Sequence, residues 1–467
     1  MIRRSISLLL LAFFCLHNIS QAQTDSYTLS KDEYLSAVKK YHPLIKQQSL
    51  KVERSKADLQ SARGSFDPVL SSGLNRKSFD GKLYYSYFNP QVSIPTWYGV
   101  ELKAGLEEII GDRVSPESTF GQTSYAGVKL SANQLYFDKR RAVLRQAQSM
   151  LKLSEAERLA AINDVIYESA AAYWNWAREY RMYQIIENAV SVNEERLRFV
   201  KIEYQQGSRP AIDTTEAEAQ LRNFYLQKEN AWLSFQNAGL ELANFLWLEN
   251  GEPLNWSPQI VPPDSGLLQD RFIPELEALL VQAKTAHPKL LGLSSKINVL
   301  ETEKKLKAQS LIPKLSINAN VLNKGYDKYP DITAAYLENN YKLGVDFSVP
   351  LLMREARGAY KSAGLKLGET FLEKDLTAYQ IENKVKTYFN EVVQLDKQIT
   401  INEGVLKNYQ ALLQGEKIRF ENGESTLFIL NSRENKVLEV AQKLNELRAK
   451  WNKSYAGLMW AAGILAE

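Results

Sequence analysis

Two stretches in the second half of the chain alternate strictly between apolar and polar residues. Residues 315–321 and 341–349 carry apolar side chains at every odd position. The polar positions between them include Asn318, Asn320, Lys342 and Asp346. A period of two with one apolar face predicts half-buried β-strands, and the lengths suit strands that cross a bilayer at a tilt. We expect these four polar residues to face a pore.

The first half of the chain repeats this alternation at residues 100–106 and 128–132 and carries 28 additional residues between Pro68 and Val128. The extra residues are typical of an added hairpin that turns at 94–97, so the first half offers two to four strands and the second half two. Four to six strands cannot close into a barrel, and an open sheet edge is not tolerated in lipid. We therefore expect an oligomer, in which three copies supply twelve to eighteen strands.

Two long segments without proline lie between the strand regions and the chain's two main turns. Residues 135–206 and 355–422 are rich in helix-forming residues such as Ala, Glu, Leu and Gln. Seventy helical residues span on the order of 100 Å, far beyond an ordinary globular helix, which predicts a coiled coil or an extended bundle. Gly207 and Gly423 can end these helices with a positive φ, so each is expected to turn into a returning helix.

The halves of the chain follow one plan, which predicts an internal repeat. Landmarks recur in the same order: His42-Pro43 with His287-Pro288, Pro68 with Pro313, and residues 201–207 with residues 417–423. We predict a first structural repeat over residues 23–248 and a second over residues 275–467. Each has a short helix, strands and a long helical hairpin. Residues 249–274 hold five of the 15 prolines and are predicted to link the repeats.

The first 22 residues have the features of a secretory signal peptide. Arg3 and Arg4 precede a short apolar core, and Ser20 and Ala22 suit cleavage after Ala22. The only cysteine of the chain, Cys15, lies inside this segment. No later segment approaches 18 consecutive apolar residues, so any membrane span is expected to be a β-barrel or to come from a partner.

Composition excludes several classes of function. The formal net charge is +4 over 467 residues, too weak for the concentrated basic face of a nucleic-acid-binding protein. With one Cys and three His, the chain has too few of these residues for most zinc sites or for a cysteine nucleophile. The chain also lacks the sequence motifs of P-loop, zinc-protease and α/β-hydrolase sites. We therefore expect no enzyme activity, no catalytic or metal site and no cofactor.

Taken in order, these landmarks resemble the TolC family of outer-membrane efflux ducts over residues 29–466. The shared features are the duplicated plan, His42-Pro43 and His287-Pro288, Ser348-Val349-Pro350, and the turn patterns Tyr204-x-x-Gly207 and Phe420-x-x-Gly423. The resemblance implies a mainly α-helical homotrimer with a long coiled-coil α-barrel in the periplasm and a β-barrel in outer-membrane lipid. It also implies a periplasmic adaptor and an inner-membrane pump of the RND or ABC type as partners, and no nucleic acid.

The resemblance further implies a gate at the periplasmic helical tips, where family members use a Tyr and an Asp from neighbouring hairpins. The matching positions here are Asp213 and Phe420, and Phe420 has no hydroxyl to donate. Some relatives place acidic residues just past the second turn, where this chain has Ile429 and Ser432. The residues expected to contact the adaptor are Gly207, Ser208, Gly423 and Ser425.

The resulting interpretation is a passive exit duct of a tripartite efflux or secretion system. Two alternatives stay open at this point: a duct for type I protein secretion and a soluble periplasmic coiled-coil scaffold. Fold does not determine cargo, so drug, metal, peptide and protein substrates are all compatible with this sequence. The sequence does not determine the class of the pump, nor whether the gate is open or closed at rest.

Overall fold

A computed structural model describes residues 27–114, 121–132, 135, 137–263, 267, 271–324 and 340–466. The predicted signal peptide at residues 1–22 lies outside the described residues, as does part of the predicted linker. The chain forms two compact units: residues up to 46, 162–283 and from 383 form one, and residues 47–161 and 284–382 form the other. Each unit draws on both halves of the sequence, and the repeat boundaries 23–248 and 275–467 stay a prediction.

Helices follow the same order in both halves of the chain. The first half has α1 (Lys31–Tyr41), α2 (Pro43–Gly64), α3 (Lys139–Gln205) and α4 (Ala211–Ala243). The second half has α5 (Leu276–Ala286), α6 (Pro288–Gln309), α7 (Arg354–Glu421) and α8 (Leu427–Ala462). The two long helices α3 and α7 contain 67 and 68 residues, close to the ranges predicted from the absence of proline. In the part of the chain that the structure describes, no helix has the length and apolar character needed to cross a membrane.

Both His-Pro pairs begin a helix. His287 is the N-cap of α6, and its Nδ1 accepts a hydrogen bond of 3.2 Å from the backbone N–H of Lys289. The Nδ1 of His42 accepts a 3.3 Å bond from Leu44 in the same way at the start of α2. Each imidazole thus satisfies a donor that the first helical turn leaves unpaired, and each proline sits where no N–H is needed.

The strands are β1 (Tyr27–Thr28), β2 (Val69–Phe79), β3 (Lys82–Pro95), β4 (Val100–Ile110), β5 (Gly121–Ser131), β6 (Ile260–Val261), β7 (Lys314–Lys324) and β8 (Tyr341–Ser348). Six of them form one sheet in the order β2-β3-β4-β5-β7-β8, and every neighbouring pair is antiparallel. Among the described residues, the first half therefore contributes four strands to this sheet and the second half two, which is the upper end of the predicted range of four to six.

The added hairpin of the first half joins β3 and β4 close to the predicted turn. The backbone N–H and the hydroxyl of Thr96 both donate to the carbonyl of Val100, at 2.9 and 2.7 Å. Gly99 completes the turn with a φ of +77°, a conformation that a residue with a Cβ rarely adopts. The turn and the alternating pattern on either side together produce this hairpin.

Aromatic side chains form the core of the first unit. Tyr173, Trp174 and Trp176 on α3 are all buried, as expected for core packing. The Tyr173 ring packs on Tyr34 of α1, and its hydroxyl donates to the carbonyl of Leu29 at 3.1 Å. These contacts attach the amino-terminal segment to the middle of α3.

Candidate functional site

The two helical hairpins of the first unit end in the same backbone motif. Gly207 and Gly423 have φ values of +72° and +76°. After α3, the N–H of Ser208 bonds to the carbonyl of Glu203 at 2.9 Å, and the N–H of Gly207 bonds to that of Tyr204 at 3.0 Å. After α7, Glu424 and Gly423 make the matching bonds to Arg419 and Phe420. Both turns are Schellman motifs, which satisfy the last carbonyls of a helix and require a left-handed residue.

Arg209 connects the two residues that the sequence assigned to the gate. Its guanidinium lies 3.9 Å from the centre of the Phe420 ring, and its Nη1 is 3.4 Å from Oδ2 of Asp213. Its Nε also donates to Glu203. Phe420 belongs to the second hairpin, whereas the other three residues belong to the first. The arginine therefore joins the hairpins by charge and by attraction to the ring face, without the missing tyrosine hydroxyl.

Phe420 is itself part of a buried apolar cluster. Its partners come from the three other helices that meet here: Val200 on α3, Ala217 on α4, and Leu427 and Leu430 on α8. Only 5% of the Phe420 surface is exposed. Because the cluster excludes water from one side of the Arg209 guanidinium, the contact with the ring is stronger than at an open surface.

The predicted adaptor-contact residues differ in their surroundings. Gly207, Ser208 and Gly423 are exposed, whereas Ser425 is half-buried and its hydroxyl donates to the buried carboxylate of Glu416. The cap of α8 is Thr426, whose Oγ1 accepts from the N–H of Ile429 at 3.4 Å. Three of the four residues are thus available to a partner, and Ser425 also holds the second turn in place.

A buried ion pair lies on α3 and α8, and the sequence analysis did not find it. Arg196 and Glu434 form a two-armed pair in which Nη2 lies 2.8 Å from Oε1, and their side chains are 9% and 12% exposed. Asn193 also donates to Glu434 at 3.3 Å, and Nη1 of Arg196 donates to Asn431 at 3.2 Å. The two residues are 238 positions apart, so no local spacing could have pointed to them.

A shallow groove of about 470 Å³ runs between α3 and α4 beside the first turn. Lys201, Tyr204, Thr215, Glu218 and Arg222 are among the residues that line it. The Arg222 guanidinium donates to Glu218 at 2.7 Å and holds the pKa of that carboxyl below its usual range. The groove therefore presents charged, hydroxyl and aromatic groups on a surface close to Ser208.

The six-stranded sheet of the second unit has one polar face and one apolar face. Directly opposed residues on one path across the sheet are Val69, Ser93, Lys103, Gly127, Asn320 and Lys342. On the other face, Leu130, Ile317 and Val345 oppose one another. Because opposed residues point to the same side, the pattern seen in the sequence extends over all six strands.

The four strand residues predicted to face a pore share the polar face. Asn320 opposes Lys342, and Asn318 opposes both Lys129 and Gly344. The Ser316 hydroxyl donates to Asp346 at 3.3 Å. The structure thus brings the four residues together on neighbouring strands, and their exposure to a pore stays a prediction.

A hydrogen-bonded cluster on the same face was missed by the sequence analysis. The Tyr125 ring lies across Gly105, where a Cβ would come within 2.7 Å of the ring carbon that bears the hydroxyl. The hydroxyl donates to Gln91 at 3.1 Å. Next to it, Asn89 donates to the Tyr87 hydroxyl at 2.6 Å, and Tyr87 donates to Glu107 at 3.2 Å. The sequence signal that could have predicted this cluster was a glycine, Gly105, opposite a tyrosine, Tyr125, in two alternating strands.

Comparisons with known proteins agree with this architecture. The family model "Outer membrane efflux protein" matches residues 35–246. The Campylobacter jejuni CmeC outer membrane channel superposes with a TM-score of 0.65 at 16% identity, covering 93% of this chain and 85% of that one. The open state of the Neisseria gonorrhoeae MtrE outer membrane channel gives 0.67 at 14% identity, covering 94% and 90%.

The outer membrane protein VceC of Vibrio cholerae gives 0.63 at 15% identity, covering 93% of this chain and 96% of that one. No curated protein matches the chain by sequence. Nothing in these similarities favours the secretion-duct or scaffold alternatives. The matched family and the similar structures are channels and not enzymes. The chain matches the outer membrane efflux protein family over residues 35–246, and its fold is that of the TolC-like outer membrane channels.

Proposed function

We propose that three copies of this chain form the passive exit duct of a tripartite efflux system, gated at the helical tips. The observation that carries this proposal is the contact of Arg209 with Asp213 and Phe420, because it holds the two hairpins of one protomer together. A tip that is held by a few polar contacts over a small apolar cluster has two accessible arrangements. The arrangement with these contacts is the closed one.

Opening requires Arg209 to leave the Phe420 ring, which moves one hairpin relative to the other. A partner that binds the separated hairpins more tightly than the joined ones shifts the population toward the open state. In this proposal the duct is passive, and the energy for export comes from the inner-membrane pump.

The gate is tested with Arg209→Gln. Loss of the contact with the ring removes about 0.5–2 kcal/mol from the closed state, so the open population rises roughly two- to thirtyfold. The matched control is Arg222→Gln, which removes an exposed arginine paired with Glu218 on the same hairpin. Single-channel recording in planar bilayers measures the open fraction. An unchanged open fraction in Arg209→Gln, or an equal rise in the control, would contradict the gate.

The adaptor is proposed to dock at Ser208 and in the groove between α3 and α4. Groups of mixed charge beside exposed hydroxyls suit a polar helical partner of modest affinity. A photo-crosslinking residue at Ser208 is expected to capture a periplasmic adaptor in intact cells. The matched control is the same residue at Tyr379, which is 65% exposed and belongs to the second unit.

The captured adaptor also distinguishes the pump classes. An adaptor encoded beside a proton-driven pump supports small-molecule or metal efflux, and one encoded beside an ATP-driven transporter supports peptide or protein secretion. Absence of any capture at Ser208, with the channel assembled, would contradict docking at the tips.

On the sheet, the polar face is proposed to line the conduit and the apolar face to contact lipid. The conduit would then be lined by a positive charge, a negative charge and two neutral amides, which are supplied by Lys342, Asp346, Asn318 and Asn320. A face with both signs of charge gives no strong preference for cations or anions.

A further inference from the structure

Among the residues that the structure describes, the sheet of the second unit ends in two strands that each pair with a single neighbour. β2 lies at one edge and β8 at the other, and nearly all of their residues are exposed. Because six strands alternate in direction, β2 and β8 run in opposite directions. The β8 edge of one copy can therefore pair with the β2 edge of another in the same antiparallel manner as every ladder inside the sheet.

We propose that β8 of one copy pairs with β2 of a second copy in a single register, in which Val69 opposes Ser348, Ser71 opposes Asp346 and Gly73 opposes Gly344. The occupant of each free edge is thus a second copy of this chain. The inference rests on the proposed trimer and adds the residues that join its subunits. Three such ladders close a barrel of eighteen strands.

The two faces of the sheet exclude half of all registers. The apolar face includes Leu70 and Leu74 on β2, and Leu343 and Phe347 on β8. In the proposed register Leu70 opposes Phe347 and Leu74 opposes Leu343. A slip by one residue would place Leu70 beside a polar side chain of β8 and break the apolar face at each subunit boundary.

Barrel geometry removes most of the remaining registers. The path of directly opposed residues that starts at Val69 reaches Lys342 on β8, six positions before the end of that strand at Ser348. Pairing Val69 with Ser348 therefore staggers the barrel by six residues per copy, which tilts eighteen strands by about 35°. A stagger of four residues gives a tilt of about 25°, below the usual range, and a stagger of eight gives about 43°.

Strand ends and charge decide between the two registers that remain. With six residues of stagger, the eight residues of β8 oppose residues 69–76, which end just before the irregularity between Lys77 and Ser78. With eight residues of stagger, the ladder crosses that irregularity and Lys342 directly opposes Lys77. Like charges in directly opposed positions are destabilising, whereas the proposed register places Asn75 opposite Lys342.

Eighteen strands at this tilt enclose a backbone cylinder of about 34 Å in diameter, wide enough for an aqueous channel. The consequence for cargo is that the strand region does not restrict passage of small molecules. Selection of what passes then belongs to the helical tips and to the pump.

Disulfide crosslinking in the outer membrane tests the register. In a Cys15→Ser background, Ser71→Cys with Asp346→Cys places two sulfurs on opposed residues of one face, within the span of a disulfide. Oxidation is expected to give covalent trimers on denaturing, non-reducing gels. Three matched controls keep Ser71→Cys and move the second cysteine to Gly344, Val345 or Ser348, and none is expected to crosslink efficiently.

The possible outcomes distinguish an error in the proposed register from an error in the proposed trimer. Crosslinking with Ser348→Cys instead would overturn the proposed register in favour of the larger stagger. No crosslink in any pair, while unheated gels still show an SDS-resistant trimer, would overturn pairing of β2 with β8 and leave the trimer intact. Covalent ladders beyond three copies would overturn the closure at eighteen strands. An exclusively monomeric protein on unheated gels would contradict the proposed duct as well.

Discussion

Single residues at the hairpin tips make contacts that cannot be predicted from their neighbours in the sequence. Asp213 and Phe420 were predicted as gate residues from the family resemblance, whereas Arg209, which contacts both, was not. Its position four residues before Asp213 was the available signal, since such a spacing favours an ion pair on a helix. The contact with Phe420 could not be read from spacing, because 211 positions separate the two residues.

At the same scale, the requirement for glycine at the turns follows from their left-handed backbone and can be tested. Gly423→Ala forces a left-handed backbone on a residue with a Cβ, which costs about 1–2 kcal/mol. Gly415→Ala is the matched control, because Gly415 lies inside α7 and a Cβ there meets open space. Alanine at that position is expected to stabilise the helix by about 0.5–1 kcal/mol. Urea titrations of the solubilised protein, followed by circular dichroism, should therefore shift in opposite directions.

At the scale of elements, a polar pair joins α3 and α8 where apolar packing would be the ordinary solution. Arg196 and Glu434 are almost fully buried, so removing one partner leaves a charge with little water around it. The ion pair adds little net stability compared with apolar packing, but it disfavours any sliding of the two helices that separates the charges. It therefore sets the alignment of the first hairpin against the second.

Variants of this pair separate its two effects. Arg196→Met is expected to lower the free energy of unfolding by about 3 kcal/mol, because Glu434 keeps only part of its hydrogen bonding. The double variant Arg196→Met with Glu434→Leu is expected to recover most of that loss. Denaturant midpoints of both variants measure this. A double variant as unstable as the single one would show that the pair contributes net stability, contrary to this expectation.

At the scale of the whole molecule, assembly in the membrane depends on which face of the sheet meets lipid. Val345 and Asp346 are neighbours on β8 and point to opposite faces. Val345→Arg puts a charge on the apolar face, at a cost of about 2–4 kcal/mol in each copy near the bilayer centre. Asp346→Arg puts the same side chain on the polar face and is expected to assemble normally.

The amount of heat-modifiable trimer in outer-membrane extracts measures both variants. Equal loss of trimer in the two variants would contradict the assignment of the faces. Normal assembly of Val345→Arg, with Asp346→Arg impaired, would reverse that assignment.

What the sequence determined by itself was local: the period of two in the strands, the long helices without proline, and the turns at Gly207 and Gly423. These features depend on backbone preferences and on neighbours a few residues away, which a single sequence displays. Only the tertiary structure decided that the sheet has six strands, that Arg209 lies against Phe420 and that Arg196 pairs with Glu434. Those contacts join residues some two hundred positions apart, and the free energy that selects them comes from packing and charge pairing in the folded chain.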